Sequence, residues 1–383
     1  MTTTETLETP AATASAKIKG NPWHPTFRGV ALATWIELLR RRPSKKGYVV
    51  YGITIALIIG LGILVAAQSD GNLNSNAMEL VLILVLGAGM LIGPSLSATS
   101  INGDSSEGVL APLQMSRLSA GDLAFGKLLA SWAVCFAALL TTTPFLIYAY
   151  SKSGWHFDEL LWVLGVILFV VLAFTAMGLA WSSIAARSVA SVSLTHLTTG
   201  LLVLGTLLIF AFTLPLVSEK IDVKYRDLDW SQATAEQQND PNFDVKSLPC
   251  VENSYEETIA HTKRTIWLVQ INPAVVVIES APVINPQTFK KDGRAAPGIF
   301  AMLHQAVSDG RLDPLIPQGW DGCATDAPID NSWEERQLEA ALLEPNPWPG
   351  IAVAGGILVG SMLIVVQRLR VPYKKLRVGT RVA

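Results

Sequence analysis

The chain has 383 residues, 50% of them apolar and only 16% charged, with a mean hydropathy of +0.38 and a formal net charge of -2. Soluble domains carry about 25% charged residues, so this deficit excludes an ordinary soluble protein and points to a membrane chain. No strongly basic domain stands out, which removes nucleic acid from the partners to consider.

Residues 1–25 are polar, rich in Thr and Ala, and lack the apolar run of a signal peptide. They read as a disordered cytoplasmic tail that ends in the stiff Asn21-Pro22-Trp23-His24-Pro25. Residues 26–46 follow as an amphipathic helix. On a helical wheel Phe27, Ala31, Leu32, Trp35, Ile36, Leu38 and Leu39 share one half, and Glu37, Arg40 and Arg41 the other. An apolar half with a Trp and a basic end predicts a helix lying in the cytoplasmic interface; a soluble helix packed on a partner is the alternative. Pro43 ends it.

A hydrocarbon core of roughly 30 Å needs about 20 apolar residues of helix. Within 47–217 five stretches qualify: Gly47 to Ala67, Ala77 to Leu96, Leu123 to Tyr150, Leu160 to Trp181 and Val189 to Val217. A sixth, Gly350 to Val366, occupies 350–368. Pro144 and Pro215 sit near the outer ends of the two longest, where a break costs least. Basic residues crowd the leader and the tail 369–383, and the 2–3 and 4–5 loops hold Arg117, Lys127 and Arg187. By contrast the 1–2 loop has no basic residue and the 3–4 loop only Lys152. This predicts an all-α polytopic membrane protein of six transmembrane helices, N-in/C-in, in a plasma (inner) membrane.

The segment 218–349 then forms an extracytoplasmic domain, with 21 acidic and 11 basic residues. Of three cysteines, Cys135 falls in the third span, and Cys250 and Cys323 fall outside, where an oxidising compartment favours their pairing. Two unpaired thiols are the alternative. Val251 to Trp267 and Ala296 to Ser308 read as helices of a mostly helical segment, with a mixed α+β arrangement left open.

The 2–3 loop carries the functional signal: Glu107-Gly108-Val109-Leu110, Leu113, Arg117-Leu118-Ser119 and Gly126-Lys127. These residues resemble the cytoplasmic loop of the ABC-2 family of ATP-binding-cassette transporter permeases. There an acidic residue, Gly, Thr and Leu lead through a Pro to a Gly-Lys that opens the third span. Val109 stands in place of Thr, and Ser116-Arg117 replaces Ser-Pro or Thr-Pro. The leading helix, six spans and an elaboration between spans five and six fit the same family, although the outer segment is large for it. The resemblance implies a permease, an exporter in direction, without catalytic residues or cofactor of its own. It implies separate ATPase subunits as partners, and a second permease copy, identical or related.

Physically, a permease that lacks an ATPase must receive force through a rigid cytoplasmic protrusion. Val109, Leu110, Leu113 and Met115, flanked by Glu107 and Arg117, suit a cleft on a soluble subunit; a loop resting on lipid is the plainer account. A membrane-anchored assembly or sensor protein, using its outer segment as a binding module, is the reading from another class, and a membrane-bound enzyme is a third.

Other motifs weaken on inspection. Gly121 to Lys127 matches G-x-x-x-x-G-K, but Leu128 replaces the required Ser or Thr and no strand precedes it. His196, with Thr142 and Thr143, could line a pathway; a histidine bonded to a neighbouring helix and threonines bonded back around Pro144 are the plainer accounts. No metal-ligand spacing or nucleophile motif occurs among the outer histidines and carboxylates. Single cysteines at 230 or 290, with Cys250 and Cys323 replaced, should label from outside, whereas 105 and 375 should need a permeant reagent. Outside labelling at 105 would sink this topology.

Overall fold

The computed structural model describes residues 23–41, 45–67, 75–234, 247–292, 294–317, 319–323 and 332–370. The tail at 1–22, Pro43 and the basic stretch 371–383 lie outside them.

The architecture is mostly helical. Helix α1 (Phe27–Arg40) leads to α2 (Lys45–Ala67). The run Ser75–Ser106 comprises α3 (Ser75–Ala98) and α4 (Ser100–Ser106), followed by the short α5 (Leu110–Met115). The run Ala120–Ser153 comprises α6 (Ala120–Leu139), a 3-10 turn at Leu140–Thr142, and α7 (Thr143–Ser153). Helix α8 spans Phe157–Ile184. The run Ser188–Leu216 comprises α9 (Ser188–Gly200), a π turn at Leu201–Gly205, and α10 (Thr206–Thr213). A last long helix covers Trp348–Leu369.

Among the described residues five helical runs are long and apolar enough to cross a membrane: 75–106, 120–153, 157–184, 188–216 and 348–369. The expected first span is present as a helix of 23 residues, α2, of which Ile55–Leu64 is the apolar stretch among the described residues.

Helix α8 is the hub. Val163, Ile167, Val170 and Val171 are fully buried there, packed with Met78, Leu82 and Val85 of α3 and Ala354 of the last helix. Close packing needs a missing side chain at Gly178, where a Cβ would collide with Ser97 and Pro94 of α3. The 3-10 turn falls where Pro144 withholds an N–H, and the hydroxyls of Thr141 and Thr142 donate to the carbonyls of Ala138 and Leu139 (both 2.7 Å).

The segment after the fifth run corrects one expectation. Val251 to Trp267 is not a helix: β2 (Cys250–Ala260) pairs antiparallel with β1 (Ser218–Leu228), from Ser218↔Ala260 to Leu228↔Cys250. Partner strands decide a short stretch of this kind. Lys220–Glu256 (2.6 Å) and Lys224–Glu252 (3.1 Å) pair across the ribbon, and Tyr225 and Tyr255 meet at 5.9 Å. The segment is therefore mixed rather than mostly helical. The other expected helix is present as Ile299–Asp309 (α13), after the short α11 (Trp267–Gln270) and α12 (Pro273–Ile278) and before α14 (Ser332–Leu342), with Trp348–Leu369 becoming α15.

Polar contacts dock this segment on one end of the bundle. Glu79 and Asn76 of α3 accept the first backbone N–H groups of α13, from Phe300 (2.8 Å) and Ile299 (3.0 Å). Arg294 pairs with Glu159 of α8 at 2.7 Å. Asn272 donates to the carbonyl of Val203 (2.6 Å) within the π turn and to Thr206 (2.9 Å).

Cys250 and Cys323 form a disulfide with Cα atoms 6.2 Å apart, while Cys135 is free and buried. Peptide mapping without reductant should join Cys250 to Cys323 and leave Cys135 as a thiol. Cys323→Ser should destabilise the ribbon by about 2–4 kcal/mol, read by urea unfolding.

Candidate functional site

The 2–3 loop lies at the other end of the bundle, and the local sequence explains its shape. Ser119 caps α6 in a reciprocal box: its hydroxyl accepts from Asp122 N (2.9 Å), and Asp122 accepts from Ser119 N (2.8 Å). The same carboxylate accepts from the backbone N–H of Thr26 (2.6 Å), the N-cap of α1. The starts of α1 and α6 thus share one acid. Gly126 lets the helices cross closely, since a Cβ there would collide with Ala33.

One turn further in lies a buried ionic cluster. Lys127 of α6 is 3% exposed, Asp104 of α4 is 4% and Glu37 of α1 is 7%. The Lys127 ammonium donates to Glu37 (2.9 Å), to the Ser100 carbonyl (3.2 Å) and to Asp104. Arg41 reaches Glu37 (3.1 Å), Ser131 (2.9 Å) and the Leu96 carbonyl (3.2 Å). Arg40 bridges Asp104 (2.8 Å) and the exposed Glu107 (3.2 Å). Three cations face three carboxylates.

Burial pushes the Glu37 carboxyl up, but Lys127 and Arg41, with Arg40, outweigh it and hold the group below the usual carboxylate range. Its contribution to stability is therefore complete above that range and is lost as pH falls below it, through the group's lowered value. Burial likewise opposes the charge of Arg40, and Asp104 more than restores it.

Polarity on α1 consequently runs inward. Glu37 faces the protein, while Phe27 (91% exposed), Leu32, Trp35 and Leu39 face away from it. This apolar stripe points off the bundle end and is uncovered by the other described residues.

The six loop residues expected to dock divide into two groups. Glu107, Met115 (78% exposed) and Arg117 project outward, and Val109 is half-buried at their edge. Leu110 is 2% exposed and belongs to an inner core with Ile101, Leu123, Leu179 and Val365, and Leu113 packs against the same core. Leu110 thus anchors the tip and is not free for a partner. Gln114 donates to the carbonyl of Leu369 (3.1 Å) and closes the end of α15.

The pathway candidates do not converge. His196 lies eight residues into its run and meets Ser95 at 3.0 Å. Thr142 and Thr143 lie at the 3-10 break, about 33 Å along theirs at 1.5 Å per residue. Gly121 to Lys127 forms the first turns of α6, so the phosphate-loop reading fails on geometry as well. Cys250, Asp321 and Cys323 lie close enough together to suggest a metal site, but the disulfide accounts for their proximity. Glu37, Asp104 and Lys127 were not among the expected site residues. A lysine opening an apolar run was the available signal, because such a charge requires a buried partner.

The chain matches no protein-family model, no curated protein and no solved structure.

Removing one member leaves its partner's charge buried and unpaired. Lys127→Met should cost about 3–5 kcal/mol, against roughly 0.5 kcal/mol for Glu107→Ala at the exposed margin. Thermal unfolding in lipid discs compares them.

Proposed function

We propose that this chain is the membrane subunit of an ATP-binding-cassette exporter. It pairs with a second permease, identical or related, and is driven by separate ATPase subunits docked on the 2–3 loop. One observation carries the reading: an exposed tip of Glu107, Met115 and Arg117 is mounted on a buried ionic cluster that joins α1, α4 and α6. A loop resting passively on lipid has no need of such a foundation.

With α2 counted as the first span, there are six and both chain ends share a side. The basic flanks make that side cytoplasmic and the hairpin side external, in a bacterial plasma membrane. ATPase closure would push the tip, and Lys127 would pass the load to the third span and to α1 in the interface. The thinly packed fifth run, with Val189, Leu197, Leu204 and Phe212 exposed, offers a face to the second permease. ATP hydrolysis belongs to the partner.

Met115→Asp and Arg117→Glu change exposed side chains, so the fold should survive. Each should weaken ATPase association at least about tenfold, equivalent to 1.4 kcal/mol, read by pull-down and by ATP turnover in lipid discs. Lys152→Glu, at the other end of the bundle, should change neither. Wild-type association in both tip variants would remove the coupling role and favour the binding-module reading of the outer segment.

A further inference from the structure

In the outer segment Glu279, His304 and Ser308 come together in the order of a hydrolytic triad. His304 Nδ1 lies 2.8 Å from Glu279 Oε1, and Ser308 Oγ lies 3.4 Å from His304 Nε2. Two facts rule out that chemistry. Ser308 is fully buried, and Nε2 lies closer to another atom, the Leu343 carbonyl oxygen at 3.0 Å. A carbonyl oxygen only accepts, so Nε2 must carry hydrogen and has no lone pair for the serine.

The same reasoning applies to Nδ1, which faces a carboxylate. A neutral imidazole has one N–H and one lone pair, and here a lone pair would oppose an oxygen on one side or the other. The contacts are satisfied only when the pair holds one proton beyond neutral His and ionised Glu. Arg311, 3.8 Å from Glu279 Oε2, donates to the Glu344 carbonyl (2.8 Å), and the N–H of Asn346 donates to Glu279 Oε2 (2.8 Å). Both leave Glu279 Oε1 to the ring.

Glu334, Glu335 and Glu339 of α14 are exposed, and the remaining charged groups on these elements are engaged elsewhere. Arg336 of α14 pairs with Asp309 at the end of α13, and Glu79 of α3 caps its start. The Glu344 side chain is exposed. His304 and Glu279 are 5% and 1% exposed.

We infer that His304 donates from both ring nitrogens, to Glu279 and to Leu343, and so acts as a proton-dependent fastener between α13 and the link that enters the last span. The fastened state binds one proton more than a released state with neutral His and free carboxylate. Alkaline pH therefore favours release, and the opening equilibrium rises tenfold for each pH unit until the closed form itself loses the proton. This inference is independent of the transport reading.

The test is hydrogen exchange on the full chain in lipid discs, followed at the amides of 343–346 from about pH 6 to about pH 10 and corrected for base catalysis. The native protein should show tenfold more opening per pH unit over part of this range. Glu279→Gln should keep the link protected and abolish the slope. Its amide NH2 can donate to Nδ1 while its oxygen accepts from Asn346, so a neutral ring satisfies every bond. A native link whose opening does not change with pH overturns the inference. So does an unchanged slope in Glu279→Gln, or a link unprotected at every pH in that variant.

Discussion

Everything at the loop end of the bundle depends on how Lys127 is buried. An ammonium taken out of water costs several kcal/mol, and attraction to its partners offsets this only if the geometry is complete. Completion here draws on separate elements: Glu37 from α1, and Asp104 with the Ser100 carbonyl from α4. Neither α1 nor α4 can slide along α6 without stranding a charge. The inward turn of the α1 polar face and the outward turn of Phe27, Leu32 and Trp35 follow from that demand. So does the fixed stance of the loop tip, since Arg40 extends the cluster to Glu107.

The hairpin end is organised differently. Its fasteners are mostly unfinished backbone groups met by side chains: Glu79 and Asn76 at the start of α13, and Asn272 at the π turn of the fifth run. A π turn displaces carbonyls from their helical donors, and inside an apolar bundle each needs a replacement. Asn272 supplies one from a neighbouring segment, and Pro273 then opens α12. The amide bonds of Asn76 and Asn272 are uncharged and hold position at less cost in desolvation than buried ions, while Glu79 brings a buried carboxyl to the same task. The exceptions, Arg294–Glu159 and His304–Glu279, sit where the segment meets α8 and the approach to α15.

Much of the bundle was legible in the sequence because span length and hydropathy are averaged over many residues. The expected second to sixth spans all appear as helical runs; the third, fourth and sixth are longer by two or three residues at each end, the second continues ten residues further through α4, and the fifth ends one residue earlier. The interruption near Pro144 was readable for a local reason, a missing N–H. Val251 to Ala260 was not, because its conformation is set by β1, more than twenty residues earlier, through cross-strand pairs that no local window contains. Of the candidate docking residues, Glu107, Met115 and Arg117 lie exposed, but Leu110 is in the core, since apolarity alone does not distinguish a docking contact from an anchor. Glu37 and Asp104 were invisible for the same reason as the strand: each becomes special only beside Lys127.

The fifth run joins the two regimes. Its buried residues are a sparse row, Ser191, Thr195, Thr199 and Thr206, joined by the partly buried Leu202, Val203 and Phe210, and most of its apolar surface is uncovered. With so small a share of it buried, the run is the least constrained of the five by packing. Its ends are held firmly. Ser191 donates to the Ala98 carbonyl (2.5 Å) and Ser188 to Asn102 (3.3 Å) near one end. At the other, β1 begins two residues after Leu216, and the His261 N–H donates to the Val217 carbonyl (2.9 Å). A displacement of this helix must therefore be carried into the ribbon. From β2 the disulfide at Cys250 leads to Cys323, in the stretch of chain that precedes α14 and α15. The ribbon is thus a covalent bridge between the loosest helical run and the last one, and the staple shortens a path that would otherwise pass through 73 residues of chain.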